Sequence, residues 1–174
     1  MANQPVVRAL LFIVCFLGGY FLGGTLYAAY EDTIFVVAEW KEEPVVLICS
    51  NSKMPENRLE IAVKYWEKFQ HKVAFYHKES SEKKASTCDQ DFVDGFILIK
   101  HGKTTGKTIA YTRRKILSGK ILAAVIVIPN DEVFLENLLE HEMGHAFGFS
   151  HFEKPGHIMH PTLSFAGKNF WIPD

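Results

Sequence analysis

The sequence predicts an α/β (α+β) domain of five strands and two main helices, preceded by one N-terminal transmembrane helix. Three observations carry this. Short β-branched apolar runs recur between polar segments punctuated by glycine or proline, as buried strands do. Two other stretches place apolar side chains three and four residues apart, the spacing of one helix face. Near the N-terminus stands a single uninterrupted apolar block. The 174 residues are 48% hydrophobic with a formal charge of -1, too balanced to imply a nucleic acid partner.

After Arg8, residues Ala9 to Tyr30 run 22 positions without a formal charge, enough to cross a bilayer as a helix. A cleaved signal peptide is the rival, but its apolar core is shorter and ends in a small-x-small site. The candidates here put Leu26 or Tyr27 at the first small position, so an uncleaved signal anchor is the better fit. Arg8 precedes the span and Glu31-Asp32 follow it, which keeps the N-terminus cytoplasmic and sends the rest outside. The expectation is a single-pass protein held in the lipid bilayer through residues 9–30, or a secreted one if that segment is removed. Gly19 and Gly23 form a GxxxG, which either lets two such helices pair or is lipid-facing filler. Residues 1–30 are thus the short cytoplasmic N-terminus and anchor, and 31–44 a juxtamembrane connector too short to fold alone. Residues 45–174 are the folded domain.

Within that domain Val45 to Cys49 reads as a buried strand. Pro55 opens a helix with Leu59, Val63, Trp66 and Phe69 along one stripe. Lys72–His77, Phe96–Ile99, Thr108–Arg113 and Ile121–Ile128 give four more strands, with a polar loop from Lys78 to Asp91. Pro129 and Asn130 stop the last strand. Asn130 or Asp131 then caps a helix running to about Phe147, in which Val133, Phe134, Asn137, Leu138 and His141 approximate a 3-4 spacing.

That helix carries His141-Glu142-Met143-Gly144-His145-Ala146-Phe147-Gly148-Phe149-Ser150-His151. His141 and His145 stand at i and i+4, so both imidazoles leave one helix face within reach of one metal ion. Gly148 can take φ > 0 and turn the chain back, letting His151 supply a third nitrogen and leaving a fourth tetrahedral position for water. Glu142 sits at the edge of that face, where a carboxylate can act as general base without being a ligand. The bland reading is a helix end with surface histidines.

The pattern HExxHxxGxxH resembles the metzincin zinc proteases, and within them the matrixin-like branch. Gly156-His157-Ile158-Met159-His160-Pro161 resembles their methionine turn, with Met159 placed to floor the metal site. The resemblance, covering about Val45 to Pro161, implies a mixed five-stranded sheet and one catalytic Zn2+ held by His141, His145 and His151. It also implies hydrolysis of peptide or protein substrates with Glu142 as base. By analogy the strand at Thr108, Ile109, Ala110, Tyr111 and Thr112 is the antiparallel edge that pairs with an extended peptide. The chain departs from the family in having no cysteine-switch segment within 31–44 and only fifteen residues after Met159. Leu163, Phe165, Phe170 and Trp171 are left to close the lower wall. The competing class is a membrane-tethered metal-binding interaction module without protease activity.

His157 and His160 read as turn or rim residues, and His71, His77 and His101 as surface residues. Cys49 and Cys88 can pair in an oxidising compartment, or Cys49 can be a small core residue. Seven basic residues and no acidic one fall between Gly95 and Asn130. They favour acidic substrates or lipid headgroups, or, more simply, keep a solvated edge soluble.

Overall fold

The computed structural model describes residues 36–80 and 87–173, so the span at Ala9–Tyr30 and its GxxxG lie outside the described residues. Among the described residues no helix is long and apolar enough to cross a membrane. One compact unit, Ile34–Trp171, holds the sheet and both helices.

Its elements are β1 (Glu39–Trp40), β2 (Val45–Ile48), α1 (Glu56–Glu67), β3 (Phe75–Lys78), β4 (Phe96–Lys100), β5 (Tyr111–Leu117), β6 (Lys120–Val127) and α2 (Leu138–Ala146). The sheet runs β3-β2-β4-β6 in parallel, with β5 antiparallel along the other edge of β6. Strand β1 pairs with the start of β6, at Lys120 and Ile121, so it continues the edge that β4 occupies further on.

Strand alternation sends successive side chains to opposite faces, and both faces are covered. On one, Val46, Ile48, Ile97, Ile99, Ala124 and Ile126 meet Leu59, Val63 and Trp66 of α1 and Leu139 and Met143 of α2. On the other, Leu47, Cys49, Leu98, Val125 and Val127 meet Cys88, Phe92 and Val93. Cys49 is both buried and disulfide-bonded to Cys88, so the segment over this second face is stapled to the end of β2.

The mixed sheet and the two helices agree with the sequence reading, and five details differ. The sheet has a sixth strand, β1, whose two residues are too few to show a period. Strand β3 starts at Phe75 and not Lys72, because β2 offers it partners only from Val45 to Ile48.

Strand β5 starts at Tyr111 and runs to Leu117, not Thr108 to Arg113. Tyr111 is already opposite Val127, the last residue of β6, so Thr108 to Ala110 have no ladder to join. Its far end is fixed by the turn at Ser118 and Gly119, with φ of 50° and 74°, the two positive values a tight hairpin needs.

Helix α2 starts at Leu138 and not near Asp131. Residues 129–137 form successive turns, with Glu132, Leu135 and Leu138 each donating to a carbonyl three residues back. Asn137 then enters the helix at φ 63°, a value asparagine tolerates. Phe134 is 71% exposed, so the apparent 3-4 stripe does not extend through it. Finally, His71 is not a surface residue: its ring packs against Trp66, Phe147, Phe149 and Phe170, and burial lowers its pKa.

Candidate metal centre

Helix α2 is packed so closely that every residue from Leu138 to Gly144 is buried, and so is Ala146. Trp66 of α1 donates its indole N–H to the Glu140 carbonyl at 2.8 Å. Arg58 forms a two-pronged pair with the Glu140 carboxylate, at 3.2 and 3.0 Å. At the other end Trp40 donates to the Ala146 carbonyl at 2.9 Å, and Arg114 to that of His145 at 2.9 Å. Cationic and N–H donors therefore meet the carbonyl end of the helix, where its dipole favours them.

The helix presents His141 and His145 on one side. His141 Nδ1 lies 2.7 Å from the Ile158 carbonyl oxygen, and His145 Nδ1 2.8 Å from that of Phe149. A carbonyl can only accept, so each Nδ1 carries the ring proton and each Nε2 is left with a lone pair. Those two Nε2 atoms are 3.1 Å apart, and His151 Nε2 is 3.1 Å from that of His145.

Two lone pairs facing each other at that distance repel unless a cation lies between them. Tetrahedral ligands about 2.0–2.1 Å from zinc stand about 3.3 Å from one another, so the spacing suits that ion. Gly148, at φ 107°, makes the reversal that brings His151 in. Burial holds all three imidazoles below their usual pKa, to about 4 for His141 and about 3 for His145. Neutral imidazole is the ligating form. The carbonyls on Nδ1 fix ring orientation as partners behind metal ligands commonly do.

Glu142 is buried, and burial raises its carboxyl to about 7 against the lowering effect of a hydrogen bond from Thr112. Thr112 Oγ1 lies 2.6 Å from Glu142 Oε2 and 3.1 Å from the Glu142 backbone oxygen. Met159 is fully buried beneath the helix, and its N–H donates to His157 Nδ1 at 3.0 Å. His157 Nε2 is therefore the protonated nitrogen, 3.1 Å from the Trp171 carbonyl. His157 is a turn residue, as read from the sequence, but wholly internal. His160 is the one at the rim.

A cleft of about 650 Å³ opens over these groups. Thr108, Ile109, Ala110, Tyr111 and Thr112 line it, although only the last two belong to a strand. His160, Pro161, Thr162 and Leu163 line it as well, beside the three histidines and Glu142. Of the residues assigned to the lower wall, Leu163 does reach the cleft, while Phe170 packs into the core against Trp66 and Phe149. Phe165 stands 58% exposed against His160.

The basic run is mostly engaged elsewhere. Arg113 faces Asp91, Lys115 bonds Asp94, Lys120 bonds Glu39, and Arg114 caps the helix. A solvated, internally paired edge accounts for the first three, while Arg114 is half-buried against α2.

The contacts of Thr112 and Arg114 with α2 escaped the sequence reading. Their signal was the period of two that puts residues 112 and 114 on one side of a strand. The close fit of Gly144 against Met159 leaves no such signal.

Compared with protein families, the sequence model of the matrixins matches residues 50–174, a stretch that holds all three histidines, Glu142 and Met159. A comparison with curated proteins matches none of them.

Proposed function

The chain belongs to the matrixin family, and we propose that it is a membrane-anchored zinc endopeptidase in which Glu142 is the general base. The observation that carries the reading is the convergence of the His141, His145 and His151 nitrogens in a cleft that Glu142 shares.

The neutral imidazoles of His141, His145 and His151 would hold zinc, which would supply a Lewis acid for the scissile carbonyl and make water easier to deprotonate. The protein's own part is to move the proton and hold the peptide. Glu142 takes a proton from the attacking water and returns it to the departing amine. Its burial favours that exchange, since a carboxyl held near neutrality both accepts and releases a proton readily. The segment from Thr108 to Thr112 offers main-chain groups to an extended substrate, and among the described residues β5 pairs only with β6, which leaves its other edge to a peptide. No covalent acyl-enzyme is involved.

Digestion of a denatured protein by the full chain, with and without chelator, tests this. The parent should cleave and the chelated protein should not. Glu142→Ala should lose at least about 100-fold at equal zinc content, the usual cost of losing a general base. Equal rates at equal zinc would remove Glu142 from the mechanism. If neither protein cleaves while both hold zinc, the tethered binding module is the correct reading.

The anchoring rests on the uncharged run from Ala9 to Tyr30, and the Cys49–Cys88 disulfide suits the extracytoplasmic side it implies. In intact cells the domain should be open to added protease while the first residues are protected. A mature protein beginning near Ala29 or Tyr30 would replace the anchored enzyme with a secreted one.

A further inference from the structure

We propose that Thr112 is a positioning residue for the Glu142 carboxylate. The inference rests on the general-base reading of Glu142 and adds the group that orients the base. Thr112 Oγ1 is 2.6 Å from Glu142 Oε2, the length of an O–H···O⁻ bond. A hydroxyl beside a carboxylate is the donor, so Oε2 is occupied. Among the described residues no donor is placed on Oε1, which leaves that oxygen to exchange protons in the cleft. A carboxylate pinned at one oxygen keeps one rotamer, whereas a free glutamate samples several.

The anchor is itself well held. Thr112 pairs with Ile126 across the sheet, and Arg114, two residues on and on the same side of β5, bonds the His145 carbonyl. Strand and helix are thus tied at two points, one behind the base and one behind a metal ligand. Because Thr112 also lines the cleft at the end of the substrate segment, the main chain that meets the peptide and the hydroxyl that aims the base move together.

The test compares Thr112→Val, which keeps shape and removes the donor, with Thr112→Ser, which keeps the donor. Both are made in the full chain and loaded with zinc. Thr112→Val should lower kcat by about 10- to 100-fold, the worth of one hydrogen bond to a charged group. KM should change less than about threefold, zinc content should stay at parent level, and Thr112→Ser should recover most of the rate.

A Val variant within about threefold of the parent overturns the proposal. So does a Ser variant as slow as Val, which would point to loss of packing. Crystal structures of zinc-loaded parent and Thr112→Val provide the second readout. The Glu142 carboxylate should hold one orientation in the parent and turn away in the variant, and an unchanged orientation counts against Thr112. Failure of the parent to cleave any peptide defeats the endopeptidase reading instead, and the two crystal structures then decide the role of Thr112.

Discussion

Met159 fills the space that Gly144 leaves open. A β-carbon on Gly144 would overlap the Met159 sulfur and stand 2.6 Å from Cζ2 of Trp66. Both neighbours are completely buried, so neither can swing out to solvent. Alanine improves helix propensity by up to about 1 kcal/mol over glycine, whereas overpacking a core costs about 1–3 kcal/mol. Packing should win. Gly144→Ala is expected to lower stability and weaken zinc binding, read from denaturant midpoints and metal content. Met159→Leu, which keeps volume, should cost less than about 1.5 kcal/mol. A more stable Gly144→Ala would show that the turn yields.

Glu142 carries a pH-dependent cost. Burial raises its carboxyl from 4.5 to about 7, so the folded chain holds that proton more tightly than the unfolded one. The resulting stabilisation is complete below about pH 4.5 and is lost as pH rises through 7. Glu142→Gln keeps an acceptor for Thr112 and cannot ionise. In chelator-treated protein it should add about 3 kcal/mol at pH 8 and almost nothing at pH 4. A difference independent of pH would contradict this account.

The histidines run the other way. Their folded pKa values lie below 6.5, at about 4 for His141 and about 3 for His145. The stability linked to them is present above pH 6.5 and lost as pH falls through those values. Metal-free protein should therefore weaken on acidification below pH 6.5, and zinc should be released over the same range. Metal analysis should find one zinc per chain at neutral pH and little in His145→Ala. Full metal content in that variant would displace His145 from the site.

The Cys49–Cys88 bond spans 39 positions in sequence. Closing a loop of that size restricts the unfolded chain by about 4 kcal/mol in the entropy model, with measured values more often 2–4 kcal/mol. Cys88→Ser should lower the denaturant midpoint by a corresponding amount. It should leave the metal site intact, since the bond lies on the sheet face away from α2. Loss of zinc on reduction would mean the two faces are coupled.

The metal site was legible because its chemistry is local. His141, Glu142 and His145 fall within one turn and a half of helix, and Gly148 and His151 follow within six residues. The helix stripe of Leu59, Val63 and Trp66 was legible for the same reason, a period repeated within one element. What the sequence concealed depends on partners far along the chain. Strand β5 begins where β6 ends, and no property of Thr108 to Ala110 announces that. Asp131 to Asn137 has helix-like spacing, yet it coils into turns and α2 begins only past Asn137. Thr112 could be placed on a strand from sequence, but its contact with Glu142, thirty positions later, is tertiary.

Among the described residues strand β2 is the only partner of β3 and one of two partners of β4, and it ends at Ile48. The stretch matched by the family begins at residue 50. A fragment trimmed to that boundary would strip β3 of its ladder and open a bare edge on β4. It would also discard Trp40, whose indole satisfies the Ala146 carbonyl, and Val37, whose N–H meets the Gly148 carbonyl. The smallest self-sufficient piece of this domain therefore starts upstream of its recognisable motifs, at or before Val36, which bridges to Phe149.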